Sequence, residues 1–195
     1  SLYDAGSALA EAISVAINTN KKNKILLSEL INPNYIDIVK SFFQGRDVTI
    51  DLLKTSNGSI DEKIFDDVDL NQYACIAVQS PNYYGQIEDL KKINLKLVDK
   101  KCLYIVASDP ISLSILEPPG KCGADIYVGE GQSLGNYMNY GGPCLGLLAF
   151  NEELIRKVPG RIVGRTKDKN NKEGFVLTLQ TREQHIRREK ATSNI

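Results

Sequence analysis

Few residues in this chain are suited to chemistry, and their spacing excludes more than it assigns. The one histidine, His185, sits in the charged run 183–190 with no serine or cysteine nucleophile beside it, so it reads as a solvated or structural residue. The four cysteines, Cys75, Cys102, Cys122 and Cys144, lie too far apart for a metal knuckle or a redox dithiol. Cys75 and Cys102 each open an apolar run, where a reduced thiol packs as a small hydrophobe. No metal site and no disulfide framework are expected. Asp109 follows the apolar run 102–107, a place where an aspartate can cap a helix, partner a cofactor's charge or act as a general base. Gly129, Gly131 and Gly135 stand in GEGQSLG, a spacing that some dinucleotide loops share. Such a loop must open a helix whose N-terminus holds the pyrophosphate, and residues 136–143 (NYMNYGGP) make a poor helix start. The glycines therefore read as tight turns, with a nucleotide-binding α/β module kept as an alternative.

Hydrophobic periodicity supplies the elements that must position these residues. Asp4 can cap a helix carrying Leu9, Ile13, Ala16 and Ile17 at helical spacing. Asn32 and Pro33 start a second helix that Gly45 ends. A short helix is expected at 61–65, a longer one at 88–100 with Leu90, Ile93, Leu97 and Val98 inward, and a charged one at 182–190. Between them, 24–30, 48–53, 74–79, 102–107, 125–128 and 144–150 read as strands. Helices of crossover length between strands imply a mainly parallel sheet, and ligands bind beyond the carboxyl ends of such strands. Three segments fall there: 80–85, 108–110 and 129–135. Residues 161–166 and 175–180, around the Asn170-Asn171 turn, predict an antiparallel hairpin packed at the sheet's margin.

At 195 residues the chain predicts one α/β domain. Its 24 Lys and Arg balance 24 Asp and Glu, which argues against a dedicated nucleic-acid binder. With 25% charged and 42% hydrophobic residues it is an ordinary globular sequence. No apolar run approaches the roughly 18–20 residues that span a bilayer. Nothing at the N-terminus looks like a signal peptide, and the abrupt start at Ser1 reads as a fragment. A reducing compartment, the cytoplasm or an organelle matrix, is expected, with the cytoplasm favoured.

Several loops together carry a resemblance. They are 80–85 (SPNYYG) with 87–89 (IED), GEGQSLG at 129–135, YGGP at 140–143, PGRIVG at 159–164 and, above all, LQTREQHIRREKATSNI at 179–195. Over residues 3–195 the chain resembles the N-terminal half of glycine decarboxylase, the P protein of the glycine cleavage system. GEGQSLG and GFVLTLQ point to the separate bacterial subunit 1 form within that family.

The resemblance implies the large domain of the aspartate-aminotransferase (type I pyridoxal-phosphate) fold. Residues 1–195 would be its core, without the family's N-terminal arm and small C-terminal domain. The chemistry implied attaches glycine to the pyridoxal aldehyde, releases carbon dioxide and transfers an aminomethyl group to the lipoyl arm of the H protein. By resemblance Asp109 stands where catalytic members hold the pyridinium nitrogen. Alignment through GGP puts Gln132 at the Schiff-base lysine position, and alignment from 123–125 puts Ser133 there. Neither side chain forms an imine, and no lysine occurs between Lys121 and Lys157. The implied role is a non-catalytic subunit of glycine dehydrogenase, inactive alone, with vestigial Asp109 and Gln132. Pyridoxal phosphate would reside on subunit 2, the partner, with lipoylated H protein as co-substrate. Asn82, Tyr83, Tyr84, Gln132 and Tyr140 are the candidates for the subunit interface. A self-sufficient pyridoxal-phosphate enzyme using Lys121 or Lys157 is the other alternative.

Overall fold

The computed structural model describes residues 1–55, 57–99, 101–180, 183–188 and 191. A six-stranded sheet is built from β1 (Lys24–Ser28), β2 (Thr49–Leu53), β3 (Cys75–Gln79), β4 (Leu103–Ala107), β5 (Ile126–Glu130) and β6 (Gly146–Phe150), in the order β2-β1-β3-β4-β5-β6. The first five strands are parallel. β6 runs antiparallel to β5, pairing Ile126 with Phe150 and Glu130 with Gly146. The connection between them holds only short 3₁₀ turns, at Gln132–Leu134 and Asn139–Gly141, so no crossover returns the chain to the far end of the sheet.

Alternate side chains of each buried strand feed two cores. Ile25, Leu27, Ala77 and Ile105 point to the side covered by α1 (Ala5–Asn20) and α2 (Pro33–Phe43). Leu26, Ile76, Tyr104 and Val106 pack with Ile93 and Leu97 of α3 (Leu90–Leu97). Burial on both faces explains why these strands read as continuous apolar runs. The expected capping of α1 is present as a reciprocal box: Asp4 Oδ1 accepts from Ser7 N at 2.7 Å, and Ser7 Oγ accepts from Asp4 N at 3.0 Å. α1 buries more than the Leu9, Ile13, Ala16 and Ile17 stripe. Eleven of its sixteen residues are buried, because alanines and Gly6 let neighbours approach closely; a Cβ on Gly6 would sit 2.4 Å from Ile38 Cδ1.

Three expectations shift. α3 is shorter than 88–100: Asp89 caps it through Lys92 N at 3.1 Å, and Val98 is an extended, half-exposed residue past its end, not an inward one. The short helix at 61–65 is a 3₁₀ stretch, Glu62–Asp67. Of the charged helix expected at 182–190, the structure has α4 (Gln184–Arg187); Arg182, Glu189 and Lys190 lie outside the described residues. The predicted hairpin is β7 (Ile162–Lys167) with β8 (Glu173–Leu179), a two-stranded sheet of its own that touches the main core through Ile162.

Candidate functional site

The carboxyl ends of β3, β4 and β5 bound a cavity of about 270 Å³. Gln79 closes β3, Ser108 and Asp109 follow β4, and Gly129 and Glu130 end β5; Gln132 and Ser133 continue from it, and Tyr35 reaches in from α2. Two of the three predicted segments, 108–110 and 129–135, therefore meet here. Gly129 is required by close approach: a Cβ would lie 2.3 Å from the Tyr127 hydroxyl and 2.7 Å from the Ser108 carbonyl.

Hydrogen bonds already made by the lining residues decide what the cavity can do. Asp109 Oδ1 accepts from Ile111 N at 2.9 Å, so it caps the turn that follows β4 while facing the cavity. Glu130 accepts from three backbone groups: Leu145 N at 2.8 Å, Gln132 N at 3.0 Å and Ala5 N at 3.2 Å. Gln132 Nε2 donates to the Gly141 carbonyl at 2.8 Å. Burial, with Glu130 nearby, pushes the Tyr35 hydroxyl up to about 12. Burial and then Asp109 push Tyr127 up to about 12 as well. Both phenols stay protonated at neutral pH, and Tyr127 donates to the Ser108 carbonyl at 3.2 Å.

Among the described residues, the lining has two carboxylates and no lysine or arginine. Lys121 and Lys157 are not among its residues. A phosphate-bearing aldehyde cofactor needs an amine for its imine and donors or cations for its phosphate. This residue set does not fit that group. The glycine spacing does not build a dinucleotide site either, since GEGQSLG itself holds only a 3₁₀ turn, Gln132–Leu134, and opens no helix.

The remaining candidates lie outside the cavity. Tyr83, Tyr84 and Tyr140 are exposed in loops at the same end of the sheet, as are Tyr137 and Met138, each 81% exposed. Asn82 is buried: its Nδ2 donates to Gly58 O at 2.8 Å and Glu88 Oε1 at 2.6 Å, and its Oδ1 accepts from Tyr84 N and Gln86 N. It therefore braces the loop that presents the tyrosines. His185 is exposed. Sequence reasoning missed Tyr35, Gln79 and the role of Glu130. Gln79, the one polar residue of strand CIAVQ, carried a signal; Tyr35 carried none.

Comparison with known proteins bears on the family and the fold. The family model described as glycine cleavage system P-protein matches residues 1–195. A probable glycine dehydrogenase (decarboxylating) subunit 1 from Carboxydothermus hydrogenoformans is 46% identical over 195 residues, covering all of this chain and 44% of the relative. The crystal structure of a glycine decarboxylase (P-protein) of the glycine cleavage system, in inhibitor-bound form, superposes with a TM-score of 0.84 at 38% identity. That match covers 100% of this chain and 44% of the other. A cysteine desulfurase from Thermococcus onnurineus shares the fold alone, with a TM-score of 0.64 at 14% identity over 99% of this chain and 47% of its own. The chain thus spans less than half the length of these proteins, and its sheet is that of the type I pyridoxal-phosphate fold. Matched along its whole length by the family model, the chain belongs to the glycine cleavage system P-protein family.

Proposed function

We propose that this chain is the large-domain core of a non-catalytic subunit of glycine decarboxylase, inactive alone. In this reading a second, lysine-bearing subunit holds pyridoxal phosphate, and that group supplies the electron sink when glycine loses carbon dioxide. The aminomethyl group passes to the lipoyl arm of the H protein, and the assembly works in the bacterial cytoplasm. The single observation that carries the reading is the state of the cavity: Gln132 is tied to Gly141, two carboxylates line it, and no amine lines it among the described residues. The contribution of this chain is then structural. Its loops at the carboxyl end of the sheet, with Tyr83, Tyr84 and Tyr140 exposed and Asn82 and Gln132 bracing them, form the wall against the partner's active site. Aromatic and amide side chains suit such a contact.

The test is co-expression of the full-length subunit with the lysine-bearing one, followed by a glycine–bicarbonate exchange assay. Borohydride reduction with intact-mass measurement then locates the cofactor. Exchange by the pair alone, with the reduced adduct on the partner, is expected. One stoichiometric adduct on a single lysine of this chain would overturn the assignment.

A further inference from the structure

The neutral total charge divides sharply along the chain. Residues 1–155 carry 20 Asp and Glu against 13 Lys and Arg, whereas residues 156–195 carry 4 against 11. The excess is densest in and beside the hairpin. Between 156 and 173 there are seven cations, all exposed, against Asp168 and Glu173. Arg161 pairs with Glu183 at 3.3 Å, and Arg165 reaches Glu173 only at 4.0 Å.

The hairpin holds this charge in a fixed form. Val163 pairs with Leu177, Arg165 with Phe175 and Lys167 with Glu173, so these side chains share one face. On it Phe175 is 75% exposed and Val163 58%. The tip is ordered: Asp168 Oδ1 accepts from Asn170 N at 2.7 Å and from Lys172 N at 2.9 Å, which sets Lys167, Lys169 and Lys172 around one turn. A two-stranded sheet with so little buried surface is marginal in water and gains from a partner.

Composition separates this face from the sheet-end loops. Those loops expose Tyr83, Tyr84, Tyr137, Met138 and Tyr140, uncharged side chains of the kind that fill permanent interfaces. The hairpin has a small apolar centre with Arg165 beside it and Lys167, Lys169 and Lys172 at its tip, against the carboxylates of Asp168 and Glu173. A cationic edge of this kind suits a steered contact that forms fast and dissociates. Nucleic-acid tracks add stacking rings to their cations, and this face has one ring, Phe175.

We propose that the β7–β8 hairpin docks an acidic, transiently bound protein: the lipoyl carrier of the function proposed above, on which this assignment rests. Charge complementarity selects the occupant. Its docking face must present carboxylates, and it must leave after each turnover, as a carrier does.

The experiment uses the full-length subunit assembled with its lysine-bearing partner. The variant is Arg165→Glu/Lys167→Glu/Lys172→Glu, three exposed residues outside the cavity. The KM for lipoylated carrier should rise about tenfold at low salt, and its salt dependence should flatten. Exchange driven by free lipoamide, and assembly with the partner, should be unchanged. An unchanged KM for the carrier would overturn the proposal, as would loss of assembly, which would make the hairpin a subunit interface. A salt-sensitive affinity for a 20-nucleotide RNA, lost in the variant while the carrier KM holds, would reassign the face to nucleic acid. If the unaltered assembly fails to turn over glycine with either acceptor, the functional reading fails and this assignment falls with it.

Discussion

The side-chain amide of Gln132 holds the backbone carbonyl of Gly141 at 2.8 Å, so a residue lining the cavity pins a loop nine positions further on. Gly142 follows with φ at +69°, and a Cβ there would meet the Tyr137 carbonyl at 2.3 Å and Gln132 Nε2 at 2.4 Å. Gln132→Ala should release this loop. Amide exchange in 137–142 is expected to speed up while the sheet stays protected, with a loss of about 1 kcal/mol in denaturant titration. Unchanged protection of that segment would show that Gln132 is not its anchor.

Glu130 joins three separate segments through Ala5 N, Gln132 N and Leu145 N. Glu130→Ala leaves all three donors without their acceptor and should cost about 2–4 kcal/mol. Glu130→Gln retains Oε1 for Gln132 N and Leu145 N and should cost less. Chemical denaturation of both variants checks the order, and equal losses would contradict it.

Two aspartates give stability opposite pH slopes. The Asp51 carboxyl is held below its usual range first by the Tyr73 hydroxyl at 2.7 Å, then by Lys24 at 3.0 Å. Its stabilisation is present above the unfolded pKa and is lost as pH falls through the folded one. Burial raises Asp125 despite its bonds from Tyr104 N and Asn151 Nδ2, so its contribution is present at low pH and is lost as pH rises through the raised value. Asp51→Asn should flatten the acid fall in unfolding free energy, and Asp125→Asn should steepen it. Parallel profiles for the two variants would refute this assignment.

Tyr83 and Tyr140 are exposed, and Asn82 braces the Tyr83 loop from beneath. In the full-length subunit, Tyr83→Ala with Tyr140→Ala should weaken assembly with the lysine-bearing partner and leave the melting temperature of the subunit within a few degrees of its original value. Sedimentation of the mixed subunits measures the first, calorimetry the second. Unchanged affinity together with unchanged glycine turnover would leave those loops as covers over the cavity.

The parallel sheet was legible because strands buried on both faces, such as CIAVQ and LYIVA, leave uninterrupted apolar runs. Loop chemistry placed Asp109 and Gln132 at the right end of it. Tyr35 was not legible, since only the packing of α2 brings it over the strand ends. Asn82, just before two tyrosines, reads as an interface candidate, yet four hydrogen bonds draw it inside its own loop. Local pattern reports periodicity; it does not report which loop closes on which, and the antiparallel turn of β6 belongs to that second kind of information.

Ala5 N meets Glu130 Oε2 across 125 residues, and Leu2 exchanges hydrogen bonds of 2.7 and 2.8 Å with Gly146. α1 is thus seated against the last strands of the sheet, although it is made well before them. At roughly 5–20 residues per second of synthesis, α1 emerges roughly 6–25 s before β5 and β6 exist to receive it. Most of its sides are apolar, so during that interval it has little polar surface to turn to water. The seat of α1 therefore joins the two ends of this segment of chain in time as well as in space.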